Sequence, residues 1–205
     1  MSYYTFVQIF FACLIGAMLP GPSMVMVVNN AIFKNRHNGI LSSIGHGIGI
    51  SIYAVFAVIG IGLIIKTNII IFNSLKIISI IFLIYLGLKS IFNNDLINFE
   101  QEKQNDWATS FFQGFSISIL NPKILVWFIA IYSQFISEKN DFIFNAYLVI
   151  IAGAIDASWY ILLTILVTSK VSLNYIKTNI YLLRKITGYL FIFFGLVLFF
   201  NIIQI

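Results

Sequence analysis

Charge is what this chain has least of. Of its 205 residues only 9% are Asp, Glu, Lys or Arg, against about 25% in an average soluble domain. That shortage excludes an ordinary solvated surface. The net charge of +5 does not point to nucleic acid, because the basic residues sit at the ends of apolar segments and form no patch. Cysteine is almost absent. Cys13 is the single thiol, which excludes an internal disulfide or a CxxC redox pair and reads as a small apolar side chain. The two histidines, His37 and His46, have no metal-ligand spacing, so neither a metal nor another cofactor is expected. Proline is scarce too, with three in the chain, and two of them fall within one pentapeptide.

What the chain has in abundance is apolar sequence. Hydrophobic residues make up 60% of it, in continuous runs longer than the roughly 20 residues that cross a bilayer as a helix. A membrane β-barrel would instead show alternating segments of about ten residues. The expected class is therefore an all-α integral membrane protein. Six transmembrane helices are predicted, at about 4–33, 40–65, 68–92, 110–137, 142–168 and 181–203, with polar joints at 34–38, 66–68, 138–141 and 170–179. The N-terminus has no basic n-region and its apolar run continues past residue 22, so a retained membrane helix is expected there.

One long polar stretch, about 93–108, divides the spans three and three. A single transporter-like domain over 1–205 follows, with repeat 1 about 1–92, a linker, and repeat 2 about 109–205. Three spans per half make the second half enter from the opposite side, so a 3+3 inverted repeat is predicted. The halves match in kind. The first span of each is interrupted by proline. The second carries small residues, Gly45, Gly47, Gly49 and Ser51 in one half and Gly153, Ala154, Ala157 and Ser158 in the other, which let helix backbones approach closely in a membrane. Lys34, Arg36, Lys89, Lys103, Lys170, Lys177, Arg184 and Lys185 fall after spans 1, 3 and 5; Lys66 and Lys139 fall on the other side. By the positive-inside rule the first group faces the cytoplasm and both termini face outward.

The two interruptions are Leu19-Pro20-Gly21-Pro22-Ser23 and Leu120-Asn121-Pro122-Lys123. Proline inside a helix costs about 3 kcal/mol, and backbone groups freed in hydrocarbon cost more unless protein or water meets them. Broken spans 1 and 4 at matching places in two halves point to a transporter's binding site. Pro20, Gly21, Pro22, Ser23, Asn121, Pro122 and Lys123 are therefore candidate substrate-binding residues. After Pro22 a half-helix begins with free N–H groups and a positive dipole end, a site suited to a carboxylate.

Asp156 is the one acid inside a span, about fourteen residues into the fifth and so near the midplane. Insertion there costs about 2.5–3.5 kcal/mol, and such acids face cavities and carry function. Asp156 is a candidate for a substrate ammonium and for proton coupling; a purely structural Asp is the alternative. Lys123, at similar depth in span 4, is its expected ion-pair partner. His46 is a second proton-coupling candidate, against a role as a helix–helix hydrogen bond. Lys76 reads equally as a snorkelling or a functional cation. Asn29 and Gln134 read as substrate contacts or helix glue, Trp127 and Trp159 as packing, and Trp107 and Tyr181 as interfacial anchors.

These residues carry a resemblance. Pro20-Gly21-Pro22-Ser23, the Asn35–Gly39 joint, the Gly45/Gly49 spacing, Phe82–Gly87, Gly114-Phe115 through Leu120-Asn121-Pro122-Lys123, Gln134-Phe135, Asp156, and Arg184 with Gly188 and Gly195 resemble the lysine-exporter (LysE/RhtB) translocators. The chain departs at Phe82, where the family usually has Tyr, and at Ser133, where Pro often stands. The resemblance implies a multi-pass bacterial inner-membrane exporter of amino acids, driven by the proton-motive force and not an enzyme. A cationic substrate would call for a second acid beside Asp156, so small neutral zwitterions of the homoserine/threonine kind are favoured. Exporters of lysine or arginine, of another solute or of a metal ion are the alternatives, with an intramembrane structural or redox protein behind them. The expected partners are the amino-acid substrate and the lipid bilayer; a homo-oligomer is left open.

Overall fold

A computed structural model of the chain describes residues 3–92, 106–137, 141–169 and 173–203. The regular elements among these residues are helical. In order they are α1 (Tyr3–Met18), α2 (Pro22–Asn29) running into a π-helical turn (Asn30–Lys34), α3 (Arg36–Thr67), α4 (Ile69–Phe92), α5 (Trp107–Leu120), α6 (Pro122–Tyr132), α7 (Phe142–Thr168) and α8 (Leu173–Ile203). By length and composition, α3, α4 and α7 can each cross a membrane. The pairs α1/α2 and α5/α6 are apolar segments bent by 69° and 60°. The bends fall on the two proline sequences. Pro22 and Pro122 each open the following helix, where the missing N–H has no partner to lose.

The core is arranged around α3, which packs against α5 on one side and α7 on another. Glycine sets these approaches. Gly45 lies on the backbone of α5 at Phe111, and Gly114 of α5 lies on that of α3 at Ser42. Toward α7, a Cβ on Gly47 would stand 2.7 Å from the Gly153 carbonyl oxygen and 2.7 Å from the Ala157 Cβ. Two of the predicted small residues on α7, Ala154 and Ser158, instead face outward; Gly153 and Ala157 make the crossing. In the same way α4 and α8 cross at Gly87 and Gly188, where a Cβ on either would come within 2.8 Å of the other's carbonyl oxygen. Ile70, Ile78 and Ile81 on α4 and Phe193 and Phe200 on α8 are exposed, an apolar exterior suited to lipid.

Two predicted joints are corrected. Helix α8 begins at Leu173 and α3 at Arg36, so most of 170–179 and of 34–38 is helical. Polar residues mark where the apolar layer ends, and a helix can continue past that point. Asn35 shows how α3 starts so early: its side chain accepts the Asn38 N–H at 2.9 Å, an N-cap. The linker prediction at 93–105 and residues 138–140 lie outside the described residues.

Candidate functional site between two broken helices

Asp156 is buried, as its position in α7 predicts. Its partner differs from the expected one. Oδ2 of Asp156 lies 2.6 Å from Nδ1 of His46 on α3, a short contact of the charge-assisted kind. The Gly47–Gly153 crossing brings α3 close enough for this. Lys123 is turned elsewhere. Its Nζ donates to the carbonyl oxygen of Leu19 at 3.5 Å, a backbone acceptor released where α1 ends, and would stand 3.0 Å from a Cβ on Gly21. The expected direct Asp156–Lys123 ion pair is thus replaced by a shared cavity, with both residues on its wall.

The two breaks meet at Ser23. Asn121 Nδ2 donates to Ser23 Oγ at 3.5 Å, and the Tyr160 hydroxyl lies against the same side chain. Tyr160 stands one turn beyond Asp156 on α7, with its ring edge-on to His46 at 4.9 Å between centroids. His46 Nε2 is buried without a hydrogen-bond partner among the described residues. The breaks themselves differ. Asn121 accepts the Lys123 N–H at 3.1 Å and caps α6, whereas no side chain caps α2 at Gly21. The first N–H groups of α2 are therefore left for another acceptor.

The space enclosed by His46, Ser23, Lys123, Trp127, Asp156 and Tyr160 is about 40 Å³, room for a few water molecules at roughly 10–15 Å³ each. A second cavity of about 1100 Å³ holds Pro20, Gly21 and Pro22 on its wall and extends to Lys34, Lys89 and Arg184. Lys123 lines both. Beside Lys34, Asp106 caps α5; the Thr109 hydroxyl above all, then the Ala108 N–H and the Lys34 charge, hold its carboxyl below the usual range.

Of the sequence candidates, Ser23, Lys123, His46 and Asp156 surround one cavity, Asn121 ties the breaks together, and Pro122 opens α6. Asn29 lines the larger cavity, while Gln134 lines a separate one with Thr5 and Gln8. Lys76 is half-buried with its ammonium 4.7 Å from the centre of the Phe72 ring. Tyr160 was missed, although its four-residue spacing from Asp156 places it on the same helix face. Trp127, read as packing, stacks on Phe191 at 4.8 Å and also lines the inner cavity.

Comparison with known proteins places the chain in a family. Residues 14–201 match the family described as LysE type translocator. The chain is 26% identical over 194 residues to the uncharacterized membrane protein YrhP of Bacillus subtilis, covering 87% of this chain and 90% of that one. It is 25% identical over 142 residues to a leucine efflux protein of Salmonella choleraesuis, covering 66% of this chain and 64% of that one. The leucine efflux protein of Salmonella typhimurium matches to the same extent. No solved structure matches the chain.

Proposed function

The chain belongs to the LysE type translocator family, a multi-pass membrane transporter, and from that premise we propose that it exports small neutral amino acids from bacterial cells in exchange for protons. The observation that carries this reading is the single cavity where a buried acid–imidazole pair, a cation and an uncapped helix start converge. A zwitterion needs those elements. The N–H groups that begin α2 and the Lys123 ammonium take the carboxylate, and the Asp156 carboxylate takes the ammonium. With one acid and one lysine, the site balances a molecule with no net charge. A lysine or arginine would bring a second positive charge with no second acid to meet it. The names of the leucine efflux relatives point to a neutral substrate as well, and the apolar Trp127 and Phe191 offer a surface for an aliphatic side chain.

Proton coupling is assigned to His46 with Asp156. The imidazole accepts a proton when the carboxylate loses the substrate ammonium, so the buried acid is never left without a positive partner. The architecture proposed for this cycle is six spans, with α8 as the sixth, in a 3+3 inverted repeat. Pairing of α3 with α7 and of α4 with α8, each between corresponding elements of the two halves, supports it. The basic ends then face the cytoplasm of the inner membrane and the termini face outward.

An efflux assay tests the reading. Cells expressing the protein are loaded with fed dipeptides, and the medium is analysed for all twenty amino acids and homoserine. Faster release of leucine, threonine or homoserine is expected. Release of lysine or arginine alone would overturn the neutral assignment, and no release by protein shown to be in the membrane would overturn amino-acid export. In vesicles, His46→Gln is expected to keep exchange of labelled substrate while losing its stimulation by a pH gradient.

A further inference from the structure

The inner site encloses about 40 Å³, too little for an amino acid, so one of its walls has to give way to admit one. Its polar end holds Lys123, Asp156 and Tyr160; its apolar end is walled by Ile50, Trp127, Ala152 and Phe191. Ile50 and Ala152 stand beside the tight crossing of α3 on α7 at Gly47 and Gly153. Side chains backed by helices packed to that density have nowhere to move. Trp127 is backed differently.

A third cavity, of about 740 Å³, begins one turn further along the same three helices. Ala12 of α1, Ile131 of α6 and Phe194 of α8 line it, as Gly16, Trp127 and Phe191 line the inner site; residues three or four apart share a helix face. The Trp127 indole marks the boundary between the two spaces. A Cβ on Gly16 would stand 2.6 Å from its Nε1 and 2.7 Å from its Cε2, so the ring rests on the backbone of α1. The same ring stacks on Phe191, with 4.8 Å between centroids and 23° between planes. A ring seated on a glycine and one stacked neighbour, with open space a turn beyond it, can turn where Ile50 and Ala152 cannot.

We propose that Trp127 sets the largest side chain this protein exports: its indole is the movable wall of the inner site and swings toward the third cavity to make room for an aliphatic substrate. The proposal rests on the export reading and deepens it. The polar end meets the α-carboxylate and ammonium, which all amino acids share, so it cannot tell one from another. Discrimination falls to the apolar end. An indole on a glycine seat gives way for a chain the size of leucine or threonine and leaves no room for an aromatic one. The same ring closes the inner site toward the third cavity, so size selection and closure are one device.

The test pairs substrate choice with access to the site. Cells expressing the wild type, Trp127→Leu or Trp127→Phe are loaded with fed dipeptides, and release of leucine and phenylalanine is compared. Trp127→Leu is expected to raise the phenylalanine-to-leucine ratio about tenfold or more, the discrimination that fit in an apolar pocket supplies. Trp127→Phe, which keeps an aromatic ring against Phe191, is expected to raise it less, and it decides alone if Trp127→Leu does not reach the membrane. Gly16→Ala puts a methyl group where the indole rests and is expected to lower leucine release several-fold. Gly16→Ala/Trp127→Leu is expected to recover it, because the shortened side chain leaves the methyl room; neighbours that share a contact couple in this way. Cys13, the single thiol of the chain, lines the inner site and reports on access: in the purified protein its labelling by N-ethylmaleimide is expected to quicken several-fold in Trp127→Leu. An unchanged ratio in the Trp127 variants that reach the membrane would overturn the selector even if total release fell, since a packing residue would give that result. Unchanged Cys13 labelling would overturn the closure. Failure of the export reading looks different: labelling still quickens, which keeps the wall, while no cells release an amino acid faster, which removes the selector.

Discussion

The two broken helices start from similar sequences and end with different equipment. Both bend at a proline that opens a half-helix, by 69° and 60°. At the second break Asn121 caps its own helix and Lys123 brings a charge. At the first, Gly21 leaves α2 without a side-chain cap and brings no charge. One break is satisfied from within and extends a cation; the other is open and offers backbone N–H groups. Lys123 reaches from the closed break to the Leu19 carbonyl of the open one, so the difference between them is also what joins them. A pair of identical breaks would either lack the cation or leave no free N–H groups for a carboxylate.

The largest effect is expected where both breaks face α7. Asp156→Asn should lower efflux at least a hundredfold while expression holds, because removing a midplane charge relieves an insertion cost of about 2.5–3.5 kcal/mol. Efflux from loaded cells with a membrane blot checks both halves of that statement, and normal efflux would remove Asp156 from the mechanism. Next, Lys123→Met takes the cation from the closed break. Losing a buried charged partner costs about 2–5 kcal/mol, so the apparent affinity for leucine in vesicles should fall by about thirtyfold or more. Equal affinity would mean that the breaks do not cooperate through Lys123.

Gly21→Ala sharpens the comparison from the open side. The φ of Gly21 is −177°, a backbone any residue adopts, so the cost is confined to a methyl group 3.0 Å from the Lys123 Nζ. A several-fold loss of transport at unchanged thermal stability is expected; a fall in melting temperature instead would show that Gly21 serves the fold. The smallest effect should come from Asn121→Ala, which opens the closed break. Loss of an N-cap costs about 1 kcal/mol, or roughly 2–4 °C in melting temperature for a chain this size. Transport that failed outright would place Asn121 on the substrate itself.

Much of this was legible before any tertiary structure. Proline in an apolar run cannot hide, so both breaks were read to within a few residues, and an acid in the middle of a span has few uses other than a buried one. The limits of the polar joints were less legible: the segment 170–179 is polar, yet Leu173 already begins α8, because hydropathy reports the surroundings of a helix and not its hydrogen bonds. The basic residues Lys34 and Lys89 were read for orientation alone, and Arg184 for orientation and for the family resemblance. That they share one cavity wall depends on a π-helical turn and on the packing of α4 against α8, and neither leaves a periodic trace.

The sequence by itself determined the membrane class, the two bent spans, and the burial of Asp156, with Lys123 as the expected partner. These follow from local rules: apolar length, the missing proline N–H, and the cost of charge in hydrocarbon. Only the tertiary structure decided that His46, and not Lys123, holds the acid. That choice turns on how near α3 comes to α7 at Gly47 and Gly153, a distance between residues more than a hundred positions apart. No spacing along the chain encodes it. With the imidazole at 2.6 Å, Lys123 is left to bridge the broken helices through the Leu19 carbonyl.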